Sequence, residues 1–192
     1  MRPGEIWLVR HGATEWTETG QHTSRTDVPL TDEGREQARA LGRVLDGHEF
    51  ALVLSSPLSR ALETCRLAGF GDAVETDDDL REWDYGEYEG RTTADIREER
   101  PGWNVWAGSP GGESLDEVGA RARRVLERAT GADGDAALFS HGHFLRILGA
   151  CWLGLAPEGG RFFLLSTAAV SLLGYERESR VLREWNRRFD VD

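Results

Sequence analysis

Two short apolar runs in this chain end in the same step, and that repetition limits the folds open to it. Ile6, Trp7, Leu8 and Val9 lead into Arg10, His11 and Gly12; Ala136, Ala137, Leu138 and Phe139 lead into Ser140, His141, Gly142 and His143. Each run reads as a buried strand, with the second followed by a helix through Phe144, Leu145, Ile147 and Leu148. In open α/β sheets, ligands bind beyond the carboxyl ends of strands, so His11 and His141 can converge despite their separation in sequence. An imidazole beside a guanidinium suits a phosphorus centre. Anionic oxygens repel a nucleophile until fixed cations neutralise them, and Arg offers a planar, permanently charged fork of donors.

Strand and helix signals alternate along the rest of the chain. Strands are expected near Glu5 to Arg10, Ala51 to Ser55, Ala73 to Thr76, Ala136 to Ser140, Ala168 to Tyr175 and Val181 to Trp185. A helix starting at Thr31 should turn Leu41, Val44 and Leu45 inward. Leu115, Val118, Ala122, Val125, Leu126 and Ala129 recur at helical spacing, and Ser114 with Glu117 forms a capping-box signature in front of them. This pattern predicts one α/β domain, a three-layer α/β/α sandwich with a mostly parallel central sheet. No linker, repeat or low-complexity tract divides residues 1–192. Between Tyr85 and Gly112 only a short helix near Thr93 to Glu99 stands out, so this stretch is expected to form a cap-like insertion, with Trp103 and Trp106 as candidate pocket walls or packing residues. Gly111 and Gly112 mark a turn, since neither phosphate-loop nor dinucleotide spacing is present.

Two further segments carry chemistry. After Ala51 to Leu54, Ser55, Ser56 and Pro57 open a helix with Pro57 expected in its first turn and Arg60 close behind. A helix N-terminus already favours an anion, so an Arg placed against the dipole suggests a phosphate partner, although a solvated helix Arg has the same sequence appearance. The run Asp77 to Gly90 alternates carboxylates with aromatics. Aromatic walls desolvate a carboxyl, as a proton donor requires, and Glu82 beside Trp83 and near Tyr85 is the candidate. His141 and His143 without a nearby Cys or Asp make a poor metal set, so no metal and no cofactor are expected.

These residues together resemble the histidine phosphatase superfamily, with its phosphoglycerate-mutase-like fold, along most of the chain. The resemblance rests on Leu8 to Thr14, Gly20 to Thr31, Ser56 to Thr64, Leu80 to Gly90, Gly112 to Ser114 and Ser140 to Gly142. Asp78 to Gly90 and Trp16 to Thr31 look most like a small branch containing acid phosphatases and a sedoheptulose-1,7-bisphosphatase. The resemblance implies that His11 is the nucleophile, that Arg10, Arg60 and His141 bind the non-bridging phosphate oxygens, and that Glu82 protonates the leaving oxygen. It also implies that Thr14, Thr17, Gln21 and Thr23 face phosphate or substrate, with Tyr85 and Gly142 at the mouth. Thr17 stands where many relatives carry Asn, and Ser24 where close relatives carry Gly. Gly142 occupies the place of the Asp donor used by the phytase-like branch, which leaves Glu82 without a competitor.

The implied reaction is hydrolysis of a phosphomonoester through a phosphohistidine, without a metal ion. A phosphoglycerate mutase and a non-catalytic phospho-ligand binder are the competing readings; Trp83 and Asp84, where mutases carry extra basic residues, favour the phosphatase. With 34 acidic and 23 basic residues, a net charge of −11 disfavours nucleic acid and anionic membranes as partners and points to a small phosphate ester. Cys65 and Cys151 read as buried thiols in helices. The start of the chain, Met1 to Glu5, lacks the apolar core of a signal peptide and no run reaches membrane-spanning length, so cytoplasmic location is the default expectation. A homodimer is left open.

Overall fold

The computed structural model describes residues 4–189; Met1 to Pro3, on which part of the signal-peptide reading rests, lie outside the described residues. Six strands form one mixed sheet: β1 (Ile6–Arg10), β2 (Leu52–Ser55), β3 (Val74–Thr76), β4 (Ala136–Ser140), β5 (Val170–Glu176) and β6 (Ser179–Arg187), in the order β3-β2-β4-β1-β5-β6. The first four neighbours are parallel and the last two pair antiparallel, close to the expected strand boundaries. The central strands are apolar almost throughout because both faces are covered, as in other parallel sheets.

Strand periodicity divides the core. Leu8, Leu54 and Leu138 point to one face and join α5 (Leu115–Thr130) and α6 (Gly142–Trp152). Val9, Val53 and Phe139 point to the other, where α2 (Asp32–Leu45) and α3 (Ser59–Cys65) supply Leu41 and Cys65. The three layers are therefore present. Leu41 and Leu45 are buried as expected, but Val44 is 38 % exposed: it lies at the solvent edge of the α2 stripe. Pro57 also falls outside its expected place. The helix begins at Ser59 with Leu58 as its N-cap, so Pro57 shapes the turn before the helix rather than its first turn. Both cysteines are buried and free, and burial pushes the Cys65 thiol up to about 12.

A short α1 (Glu15–Thr19) follows β1, and α4 (Thr93–Glu99) follows β3. The stretch around α4 packs Tyr85, Tyr88, Ile96, Trp103 and Val105 into the α5–α6 side of the core, at spacings that follow neither helical nor strand periodicity. Among the described residues no helix is long and apolar enough to cross a membrane.

The end of β1 is held against α2 at a distance only glycine permits. A Cβ on Gly12 would sit 2.3 Å from the Gly34 carbonyl oxygen, and one on Gly34 would sit 2.1 Å from that of Ala13. Helix propensity alone favours Gly34→Ala by about 1 kcal/mol. The backbone clash should reverse that sign: we expect net destabilisation of about 2 kcal/mol, seen as a lower urea midpoint, whereas an unchanged or raised midpoint would contradict the packing described.

Candidate active site

Parallel pairing in register puts Arg10 opposite Ser140 and so brings two imidazoles to the same sheet edge. The His11 N–H donates to the Ser140 carbonyl at 3.0 Å, the Ala168 N–H donates to the His11 carbonyl at 3.0 Å, and the His11 and His141 ring centroids lie 5.1 Å apart. His11 is 4 % exposed. Its Nδ1 lies 2.7 Å from the Gly12 carbonyl, which can only accept, so Nδ1 carries the proton and Nε2 carries the lone pair. Burial, then the charges of Arg60 and Arg10, hold the His11 imidazolium well below its ordinary 6.5, against a smaller upward pull from the Gly12 carbonyl. A neutral imidazole of fixed tautomer results, with no protein partner for Nε2 among the described residues.

Glu82 is buried and takes the part of a missing helix cap. Its Oε1 accepts from the backbone N–H groups of Trp83 (2.9 Å) and Phe144 (2.8 Å), and Oε2 accepts from that of His143 (3.1 Å). His143 and Phe144 belong to the first turn of α6, whose N-cap residue His141 makes no side-chain capping bond. The sequence pointed to aromatic walls around this carboxyl. Its immediate partners are instead backbone donors, while the Trp83 indole turns aside to donate to the Glu113 carbonyl at 2.8 Å.

A cavity of about 180 Å³ opens over these groups, walled by Arg10, His11, Thr17, Gln21, Thr23, Glu82, Tyr85 and Gly142 among the predicted residues. Arg10 donates from Nη1 to the Leu165 carbonyl at 2.5 Å, while its buried Nε has no partner. Gly142 makes room for that guanidinium, since a Cβ there would meet Arg10 Cζ at 3.1 Å.

Other predicted contacts are placed differently. Thr14 is fully buried, caps α1 by accepting from the Thr17 N–H, and does not reach the cavity wall. The Thr17 hydroxyl donates back to the Thr14 carbonyl, Gln21 donates to the Gly90 carbonyl, and the Thr23 hydroxyl donates to the Gln21 carbonyl, so these three shape the loop with their polar atoms. Arg60 and His141 are completely buried behind the wall. Arg60 donates to the carbonyls of Thr26 and Ser24 and, through Nε, to His141 Nδ1 at 3.2 Å; His141 Nε2 in turn lies 2.8 Å from the Ser56 hydroxyl. Both His141 nitrogens are thereby engaged within the protein, and direct donation to a ligand would require one of these bonds to open.

Sequence reasoning missed His22 and Arg146 and gave His143 only a weak metal role; all three line the cavity, and the described residues hold no cluster of metal-ligating side chains. For His143 and Arg146 the signal was their i, i+3 spacing on α6, while His22 lies on the loop after α1. Trp106 and Trp103 stand one layer behind, the first under Arg146 with the guanidinium 5.0 Å from the ring, the second against His22 at 5.4 Å. The Tyr85 hydroxyl lies 2.7 Å from His143 Nδ1, and burial, then the Glu82 charge, push this phenol well above its ordinary 10. A larger groove, about 760 Å³, runs along β5 and β6 and contains none of these groups.

The family model for the histidine phosphatase superfamily (branch 1) matches residues 6–188. This chain belongs to that superfamily. As a histidine phosphatase it is 41 % identical over 187 residues to an acid phosphatase of Mycobacterium tuberculosis, covering 95 % of this chain and 92 % of the relative. It is 37 % identical over 185 residues to the sedoheptulose 1,7-bisphosphatase of Saccharomyces cerevisiae, covering 79 % of this chain and 68 % of that one. The solved structure of a Mycobacterium tuberculosis open reading frame product superposes with a TM-score of 0.91 at 39 % identity, over 97 % of this chain and 99 % of the other. The phosphoglycerate-mutase-like fold expected from the sequence is thus the fold of this phosphatase.

The buried imidazoles make stability depend on pH. His11, His141 and His143 are each held well below 6.5, chiefly by burial and then by the nearest Arg. The unfolded chain takes up protons near pH 6.5 while the folded protein does not, so their contribution is complete above that value and is lost as pH falls below it, at up to about 1.4 kcal/mol per pH unit for each group. Urea midpoints should drop between about pH 7 and pH 5, and His141→Gln should flatten the slope. An identical slope in that variant would contradict this assignment.

Proposed function

We propose that this phosphatase hydrolyses phosphate monoesters of small metabolites, sugar phosphates among them, by two in-line displacements through a phosphohistidine on His11. The observation that carries the proposal is the neutral His11, protonated at Nδ1 and exposing its Nε2 lone pair beside the charged Arg10. In the first displacement, Nε2 attacks phosphorus as the ester P–O bond breaks, and Glu82 passes a proton to the leaving oxygen. Oε2 of Glu82, which has one backbone donor against two on Oε1, is the oxygen suited to carry that proton. In the second, water attacks the phosphoryl group, gives its proton to Glu82, and the P–N bond breaks to release phosphate.

Arg10 stabilises the transferring phosphoryl group directly. Arg60 contributes from below, through the charge that helps keep His11 neutral and through the loop carbonyls it holds, and His141 accepts from Arg60 Nε behind the wall. Since guanidinium charge serves the role that divalent ions play in other phosphoryl transfers, the scheme needs no metal. Residues 85–112, joined to the loop after α1 through His22–Arg91, Gly90–His22 and Ser24–Glu89 contacts, form the cap-like rim that selects the ester within a single domain. The names borne by the relatives, an acid phosphatase and a sugar bisphosphatase, support the substrate class.

Phosphate release from p-nitrophenyl phosphate and fructose 6-phosphate in the presence of a chelator tests this reading. His11→Ala should lower release by at least about 1,000-fold. Glu82→Gln should harm the sugar phosphate more than the aryl phosphate, whose leaving group needs less protonation. The acidic limb of kcat/KM should fall below pH 6.5, because His11 must be neutral to attack. Undiminished release by His11→Ala would overturn the proposal.

A further inference from the structure

The His11 tautomer rests on one backbone carbonyl, and the peptide that carries it is held by a side chain outside the cavity wall. The Gly12 C=O and the Ala13 N–H belong to a single planar unit and point to opposite sides of it. The carbonyl accepts from His11 Nδ1 at 2.7 Å, and on the other side the Ala13 N–H donates to Gln37 Oε1 at 2.9 Å. Gln37 belongs to α2 and is half-buried; its own Nε2 donates to Glu33 Oε1 at 3.0 Å, one helical turn earlier. This amide has a single workable orientation, since a backbone N–H can only donate and a carboxylate can only accept.

The peptides on either side are pinned independently. The Gly12 N–H donates to the Thr64 hydroxyl at 3.1 Å, and the Ala13 carbonyl accepts from the Thr31 N–H at 3.0 Å. The freedom left to the middle unit is rotation about the line joining the Gly12 and Ala13 Cα atoms, to which glycine at one end offers little steric resistance. Turned over, the unit would present the Ala13 N–H to His11 Nδ1 in place of the carbonyl. Nδ1 would then be the acceptor: it would lose its proton to solvent while Nε2 took one up, and the lone pair would face away from the cavity.

We propose, resting on the His11 reading above, that Gln37 is a positioning residue for the reaction: its Oε1 holds the Gly12–Ala13 peptide in the orientation that leaves the His11 Nε2 lone pair free for phosphorus. Glu33 fixes the Gln37 amide in turn. A peptide whose N–H is already bonded is polarised, which makes its carbonyl a stronger partner for Nδ1–H. Gln37 itself is absent from the cavity wall and acts only through this peptide. A simple anchor between α2 and the end of β1 would use the same hydrogen bond, so the test reads the imidazole as well as stability.

Long-range ¹H–¹⁵N spectra of ¹⁵N-histidine-labelled protein at neutral pH, with His11 assigned against His11→Ala, report the tautomer without turnover. Wild type should show His11 protonated at Nδ1. Gln37→Met, similar in length but without an amide oxygen, should populate the Nε2–H tautomer, and Gln37→Glu, which keeps an acceptor, should restore the wild-type pattern. In phosphate release from p-nitrophenyl phosphate, Gln37→Met should lower kcat by about tenfold or more with KM changed by less than about threefold, and Gln37→Glu should recover most of the loss. Gln37→Ala also removes the acceptor while favouring the helix, and takes the place of Gln37→Met if that variant fails to fold. Thermal unfolding is followed alongside. A wild-type His11 protonated at Nε2, a His11 pattern unchanged by loss of the acceptor even where stability falls, or an unchanged kcat in active enzyme would overturn the proposal. Should no form of the chain release phosphate, the phosphatase reading fails and the spectra alone decide: a tautomer change that Gln37→Glu reverses upholds the positioning role, and its absence rejects it.

Discussion

The in-register parallel pairing of β1 with β4 is the contact on which the site depends. It sets Arg10 against Ser140, so each strand delivers its histidine at the same height on the sheet edge. Everything beyond that edge is then placed by short-range constraints. The Gly12–Gly34 approach fixes the chain leaving β1, and α6 starts at the residue after His141. The unsatisfied N–H groups of the first turn of that helix need an acceptor, and Glu82 provides it from a loop some sixty residues earlier. One capping interaction thus serves both the helix and the placement of a carboxyl in the wall of the cavity that His11 also lines.

The electrostatics follow from burial more than from charge count. A chain with net charge −11 encloses Arg10, Arg60 and Arg146 around four imidazoles, and desolvation is the leading cause of the lowered pKa of each of His11, His22, His141 and His143. Neutral imidazoles can surround the cations without repelling them strongly. Arg60 spends its donors on loop carbonyls and on His141, so its charge reaches the site through a scaffold rather than through an open fork.

Much of the fold could be read from the sequence because periodicity reports on burial. The buried strands and the amphipathic α2 and α5 announced themselves, as did the Ser114–Glu117 capping box. Val44 departed from its pattern because it sits at the edge of a buried stripe, where period alone does not separate inside from outside. The site was legible where chemistry concentrates in short motifs: His11, Arg10, Glu82, Tyr85 and Gly142 reach the cavity. It was less legible on the loop after β1, where Thr14, Thr17, Gln21 and Thr23 direct their polar atoms to backbone. A string of residue types does not tell whether a hydroxyl serves a turn or a ligand. Arg146 escaped notice for the converse reason: on an otherwise apolar helix, a single Arg reads as solvated, and only packing shows it turned toward the cavity.

Covalent chemistry at one nitrogen, His11 Nε2, is the step on which the proposed turnover depends. Rapid-quench mixing with a ³²P-labelled phosphate ester, followed by alkaline digestion and mass spectrometry, should show an acid-labile phosphoryl group on His11 that forms within the first turnover and decays as phosphate appears. Active enzyme that releases phosphate with no label trapped on His11, or with label trapped on another residue, would contradict it.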